Sequence, residues 1–216
     1  MNAQIKNILV DGLILFTVST ALVVLSDKGF SKLKDKTPKD DPIVSAITQG
    51  DLKELEVVAK QGGKVAALTD VQGRTALMRA AYANLSGSKL LAETDTKRSE
   101  MIPVLLDHAA PLNQQDHDGW SALMWASWSG LPMVAGKLLD SGALHTLTDN
   151  QGNSALILAA QRGNTEIVRL LMNQGADPSA NTRAGQTALD LARTGLREYP
   201  DKAPAYQEII SLLEAR

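Results

Sequence analysis

The 216-residue chain has no cysteine. That excludes a disulfide framework, a thiol nucleophile, a lipoprotein anchor and a cysteine-based zinc site, and it leaves the compartment open. Aromatic residues are scarce as well, at 4% of the chain against 44% hydrophobic residues in all. An interior of that composition is built on Ala and Leu, which suits thin layers of stacked helices better than a sandwich or barrel. Neither sign of charge is in excess: the formal net charge is −2 and the pI is near 5.9. There is thus no electrostatic footprint for nucleic acid. A Gly-rich phosphate loop, a nucleophile elbow and a His set by motif beside a Ser and a carboxylate are all missing. The chain is therefore expected to be no enzyme and to need no cofactor.

What the chain does have is a phrase that returns. Gly-Arg-Thr-Ala-Leu-Met at 73–78 is followed by Gly-Trp-Ser-Ala-Leu-Met at 119–124, Gly-Asn-Ser-Ala-Leu-Ile at 152–157 and Gly-Gln-Thr-Ala-Leu-Asp at 185–190. Gly119, Gly152 and Gly185 are each 33 residues apart. The stretch Asp116–Gly142 carries the pattern of one copy, and the second half of a copy is clearest at Asn164–Asp177, with its Leu-Leu-x-x-x-Gly-Ala-Asp close. Copies at fixed period are the mark of a solenoid, in which each repeat buries its apolar face only against its neighbours.

A 33-residue period with Gly-x-[Ser/Thr]-Ala-Leu, an alanine pair and a closing Gly-Ala-Asp resembles the ankyrin repeat. The family's Thr-Pro-Leu-His is altered here, its proline and histidine both replaced, while the Ser/Thr helix cap and the buried leucine stay. The resemblance covers roughly residues 40 to 216 and implies an all-α solenoid of about five helix-turn-helix repeats. Their expected bounds are 42–69, 70–115, 116–148, 149–181 and 182–216. The first and last act as caps, since they stack on one neighbour only. Gly73 to Gly119 spans 46 residues, so the second repeat carries an insertion at 85–99, within Asn84–Ser99. This is read as a solvated loop between helices, with Ser99 capping the outer helix and Pro103 in or near its first turn.

Ahead of the repeats, residues 8–25 form the only strongly apolar run. Asp11 leaves a clean stretch of 14 residues from Gly12 to Leu25, short of the roughly 20 needed to cross a bilayer as a helix. Residues 1–26 are expected to be a signal peptide or a membrane anchor preceding the all-α domain, with 27–41 a polar linker. Export would place the repeats in the bacterial periplasm or at its inner membrane. Lys28, Lys32, Lys34, Lys36 and Lys39 favour the opposite orientation, because positive flanks stay cytoplasmic.

For function, the resemblance implies protein–protein interaction through the concave face, built from turn tips and exposed inner-helix positions. Carried across position by position, that face takes Arg74, Trp120 and Asn153 after the turn glycines, and His117, Asp118 and Asn150 before them. After the alanine pairs it takes Tyr82, Trp128, Gln161 and Arg162. All three tryptophans, at 120, 125 and 128, fall in one repeat. Trp125 aligns with Leu158 and Leu191 and is expected to be a packing residue; Trp120 and Trp128, with Tyr82, form the expected partner-binding centre. The expected role is a monomeric module that binds another protein, as an inhibitor or escort of an envelope enzyme. The alternatives are a membrane-tethered cytosolic scaffold, and a metal-binding protein or enzyme built on Asp116-His117-Asp118 with His145. Asp-x-Asp-Gly is ordinary turn chemistry, so no metal ligand is assigned.

Overall fold

A computed structural model describes residues 41–61, 68–82 and 88–215, and the side chains of 88–92 are left aside. The apolar run at 8–25, the expected signal or anchor at 1–26 and all of the expected linker but Asp41 lie outside the described residues. Among those residues, no helix is long and apolar enough to cross a membrane.

The described chain is helical, in pairs. The first members are α1 (Pro42–Gln49), α3 (Ala76–Ala81), α5 (Ala122–Ser129), α7 (Ala155–Arg162) and α9 (Ala188–Glu198). The second members are α2 (Leu52–Lys60), α4 (Ser88–Asp107), α6 (Pro132–Asp140), α8 (Thr165–Asn173) and α10 (Ala203–Glu214). Helices α1, α3, α5, α7 and α9 stack in one row, and α2, α4, α6, α8 and α10 in another. The core is the seam between rows, where Leu77, Leu123, Leu156, Leu105, Leu138 and Leu171 are buried together with the alanines of the repeated phrase. Alanine lets adjacent inner helices approach closely, which is how so few aromatics suffice.

The repeated phrase explains each inner helix. Thr75, Ser121, Ser154 and Thr187 stand at the N-caps in extended backbone, and their hydroxyls accept from the amides of Met78, Met124, Ile157 and Asp190. Each such cap contributes about 1 kcal/mol. Helices α1, α5 and α7 end on left-handed glycines, Gly50, Gly130 and Gly163. Helix α3 has no such glycine and ends at Tyr82 in extended backbone.

The 85–99 insertion departs from its expected form. Residues from Ser88 onward are helix, continuous with the outer helix through Asp107. Ser99 is buried inside that helix, its Oγ donating to the Thr96 carbonyl rather than capping a start. Pro103 lies in the helix interior, not the first turn; lacking an N–H, it leaves the Ser99 carbonyl without its helical donor. The added turns persist because they are tied to both sides. Arg98 Nη1 donates to the carbonyls of Arg79 (2.8 Å) and Ala80 (3.1 Å), ending α3 where a glycine would otherwise serve. Asp95 accepts from the amides of Met133 (2.8 Å) and Val134 (3.0 Å), capping α6, whose own N-cap is Leu131. Lys97 lies against Gly50. The inserted turns therefore touch three successive repeats.

Between pairs the chain makes a tight finger. Antiparallel bridges close its neck at Thr69 with Thr75, Thr148 with Ser154 and Asn181 with Thr187. Adjacent fingers join through the amides of His117, Asn150 and Arg183, which donate to the carbonyls of Gln72, Asp118 and Gln151. This explains the finger glycine: Gly119 has φ +84°, and a Cβ there would stand 2.9 Å from the Asn150 amide nitrogen.

Candidate partner-binding face

Each finger begins with a residue that organises its turn. Asp70, Asp116 and Asp149 are buried, and one carboxylate oxygen of each accepts two amides of its own turn. The other oxygen needs a side-chain donor, and each repeat supplies a different one. Asp70 Oδ2 takes Arg74 Nε at 2.6 Å and Arg79 Nη2 at 3.1 Å. Asp116 Oδ2 takes Trp125 Nε1 at 3.0 Å, and Asp149 Oδ2 takes Asn153 Nδ2 at 2.9 Å. Thr182 does the same work with its hydroxyl alone. Burial pushes the Asp116 carboxyl above its ordinary 3.8, while hydrogen bonds from Trp120, Trp125 and Asp118 pull it back.

From Asp116 the geometry leads to a cluster of rings. Trp125 is buried and forms its hub, with Tyr82 edge-on at 5.1 Å and Trp120 tilted against it at 4.6 Å between centroids. Trp120 in turn meets Trp128 edge-on at 5.6 Å. The Arg162 guanidinium lies over the Trp128 ring, 4.3 Å from its centroid. Tyr82, Trp120 and Trp128 are half-buried, each leaving part of its ring to solvent on the face of fingers and inner helices. Among the described residues, neither the Trp120 nor the Trp128 indole N–H has an acceptor, and neither nitrogen is buried.

The residues expected on this face divide into two groups. Tyr82, Trp120, Trp128 and Arg162 come together across three repeats as one patch. Gln161 is exposed beside Arg162, and its carbonyl accepts from the Tyr206 hydroxyl at 3.0 Å. His117 and Asp118 are exposed on their finger. Three others are occupied in bracing turns: Arg74 with Asp70 and Gln72, Asn153 with Asp149, and Asn150, whose Nδ2 donates to the His117 carbonyl at 2.9 Å. Trp125 is a packing residue, yet it links Tyr82 to Trp120. Alignment with Leu158 and Leu191 hid that linking role; the signal was Arg79 at the same place, likewise a side-chain donor nine residues after a finger Asp. As to metal, Asp116 has both oxygens committed, and no group of three His, Cys, Asp or Glu among the described residues is placed to hold an ion.

At the far end of the stack, Tyr206 and Tyr199 stack at 6.4 Å. Burial raises both phenols, Tyr206 to about 12, and the nearby positive charge of Arg162 opposes the rise.

A family model described as ankyrin repeats (many copies) matches residues 138–192. That stretch runs from the end of α6 through the α7–α8 pair and into α9, and it includes two stacked fingers. Residues 138–192 are thus shown to be ankyrin repeat sequence. No curated protein matches it. The match covers about a quarter of the chain; the pairs that open with α3, α5 and α9 share its Ser/Thr caps and stacking order. Ankyrin repeats are in general protein–protein interaction modules, so a surface patch of ring faces and free N–H donors on the finger side is the feature to weigh.

Proposed function

We propose that this ankyrin protein binds a partner protein, as a monomer, across the face formed by its fingers and inner helices, the concave face in this family. The observation that carries the reading is the pair of half-exposed indoles, Trp120 and Trp128, whose N–H groups have no acceptor among the described residues. Tryptophan, tyrosine and arginine are the residues over-represented where truncation costs an interface about 2 kcal/mol or more. Large rings already held by neighbours lose little freedom on binding, which favours them as anchors.

The role this supports is a module that inhibits or escorts an enzyme of the bacterial envelope. Its envelope location, at the inner membrane or in the periplasm, rests on the apolar run at 8–25 alone. The lysines from 28 to 39 favour a second reading, a membrane-tethered scaffold facing the cytosol.

The test is affinity capture with the full chain, wild type beside a Trp120→Ala, Trp128→Ala variant shown by circular dichroism to be folded. Envelope and cytosolic extracts are run separately. A protein retained by wild type and reduced at least tenfold by the variant, with its identity and compartment established, is the expected result. Equal retention by both baits would remove the patch from the binding site.

A further inference from the structure

Among the described residues, the patch has one full charge of its own, and that charge has no ion-pair partner. Arg162 is exposed and stacked on Trp128, and no carboxylate among the described residues lies within ion-pair distance of it. The carboxylates of this face are spent inward. Asp70, Asp116 and Asp149 are buried and fully occupied by turn amides and by Arg, Trp and Asn side chains. Asp118 is exposed, but it sits at the finger, before an inner helix of eight residues. Arg162 ends the next inner helix, so about 12 Å of helix length separates the two levels. Glu198 and Asp201 act on the neighbouring Tyr199 and also stand outside pairing distance of Arg162.

A guanidinium seated over a ring face is held in place by that ring, while its N–H groups turned away from the ring stay available. Beside it are the two indole N–H groups without acceptors. Among the described residues, the patch thus presents apolar ring faces and donors, with Arg162 as an unpaired cation. Resting on the partner-binding reading above, the geometry points to an acidic side chain of the partner protein, flanked by apolar residues, as the group that Arg162 receives. The apolar flanks cover the exposed parts of Trp120, Trp128 and Tyr82, and the carboxylate accepts from the guanidinium edge. The partner pays for desolvating its carboxylate with hydrogen bonds to a charged donor, among the stronger contacts a protein surface offers.

The probe is a displayed library of random dodecapeptides selected on the full chain in detergent, followed by soluble synthetic versions of the peptides recovered. Because every tryptophan lies in the cluster, intrinsic indole emission reports binding there. The variants are Arg162→Ala, Arg162→Glu and the Trp120→Ala, Trp128→Ala pair, with Arg169→Ala on the other helix row as control. The expected result is recovery of peptides bearing Asp or Glu beside Leu, Ile or Phe. Arg162→Ala should weaken them about tenfold or more, Arg162→Glu should shift the selected sequences to Lys and Arg, and the control should change nothing. Peptides that need the two tryptophans but carry no acidic enrichment, and are unmoved by either Arg162 variant, would overturn the acidic assignment and leave the patch as the binding site. If no recovered peptide depends on the two tryptophans, both readings fall together.

Discussion

Arg79 and Trp125 occupy the same place in successive repeats and give a buried carboxylate its last hydrogen bond, one through a guanidinium and the other through an indole. The same local logic makes Gly195 necessary. It lies inside α9, where a glycine ordinarily costs about 1 kcal/mol relative to alanine. A Cβ on Gly195 would stand 2.3 Å from Cε1 of Tyr206, and Tyr206 is buried with its hydroxyl on the Gln161 carbonyl. The ring has no flexible end to move. Gly195→Ala is therefore expected to destabilise by about 1–3 kcal/mol despite its better helix propensity. A melting temperature equal to or above wild type would show that the Tyr206 ring can shift at little cost.

At the scale of elements, α4 matters most because its added turns cap two other helices. Asp95 is buried, and among the described residues its carboxylate is the only side-chain cap that the start of α6 receives. Asp95→Ala should cost about 1–2 kcal/mol. In hydrogen exchange, the Met133 and Val134 amides should open faster while those of α8 and α10 stay protected. A uniform change along the chain would contradict the capping role. The pH dependence of Asp95 follows from its burial, which raises the carboxyl above 3.8 against the pull of the two amides. A raised native pKa means the folded state holds the proton more tightly than the unfolded state. The resulting stabilisation is complete below 3.8 and is lost as pH rises through the folded value. Wild type should accordingly gain in melting temperature on an Asp95→Asn variant as pH falls from neutral toward 3.8.

Taken as a whole, the molecule is a row of pairs, each packed on its neighbours, so stability accumulates along the stack. The last pair closes it: α9 packs on α7, and α10 packs on α8. A chain ending at Asn181 would uncover those two faces, where each aliphatic side chain loses about 1.5–3 kcal/mol of burial. Such a chain is expected to melt well below wild type and to self-associate in light scattering. A monomer with an unchanged melting temperature would show that the last pair is not needed as a cap.

The sequence by itself determined the repeat, its period, the capped inner helices and the glycine fingers. Each of these is decided within a few residues, by a hydroxyl three positions before an amide or by a glycine where φ must be positive. It also placed Tyr82 and Trp128 at equivalent positions, Arg162 one residue past the next equivalent and Trp120 just after a turn glycine, all on one face, because a solenoid maps sequence position directly onto a face. Only the tertiary structure decided which residues of that face are taken up in bracing turns. Arg74, Asn150 and Asn153 look like the others in alignment but are held by an Asp of the same turn or a carbonyl of the finger before, partners that spacing alone does not rank. The helix from Ser88 is not legible in the sequence for a similar reason. Polar and mixed in charge, they have a weak apolar pattern of their own, and the helix is tied by Asp95 to the start of α6 and by Arg98 to the end of α3, contacts that exist only once the repeats are stacked.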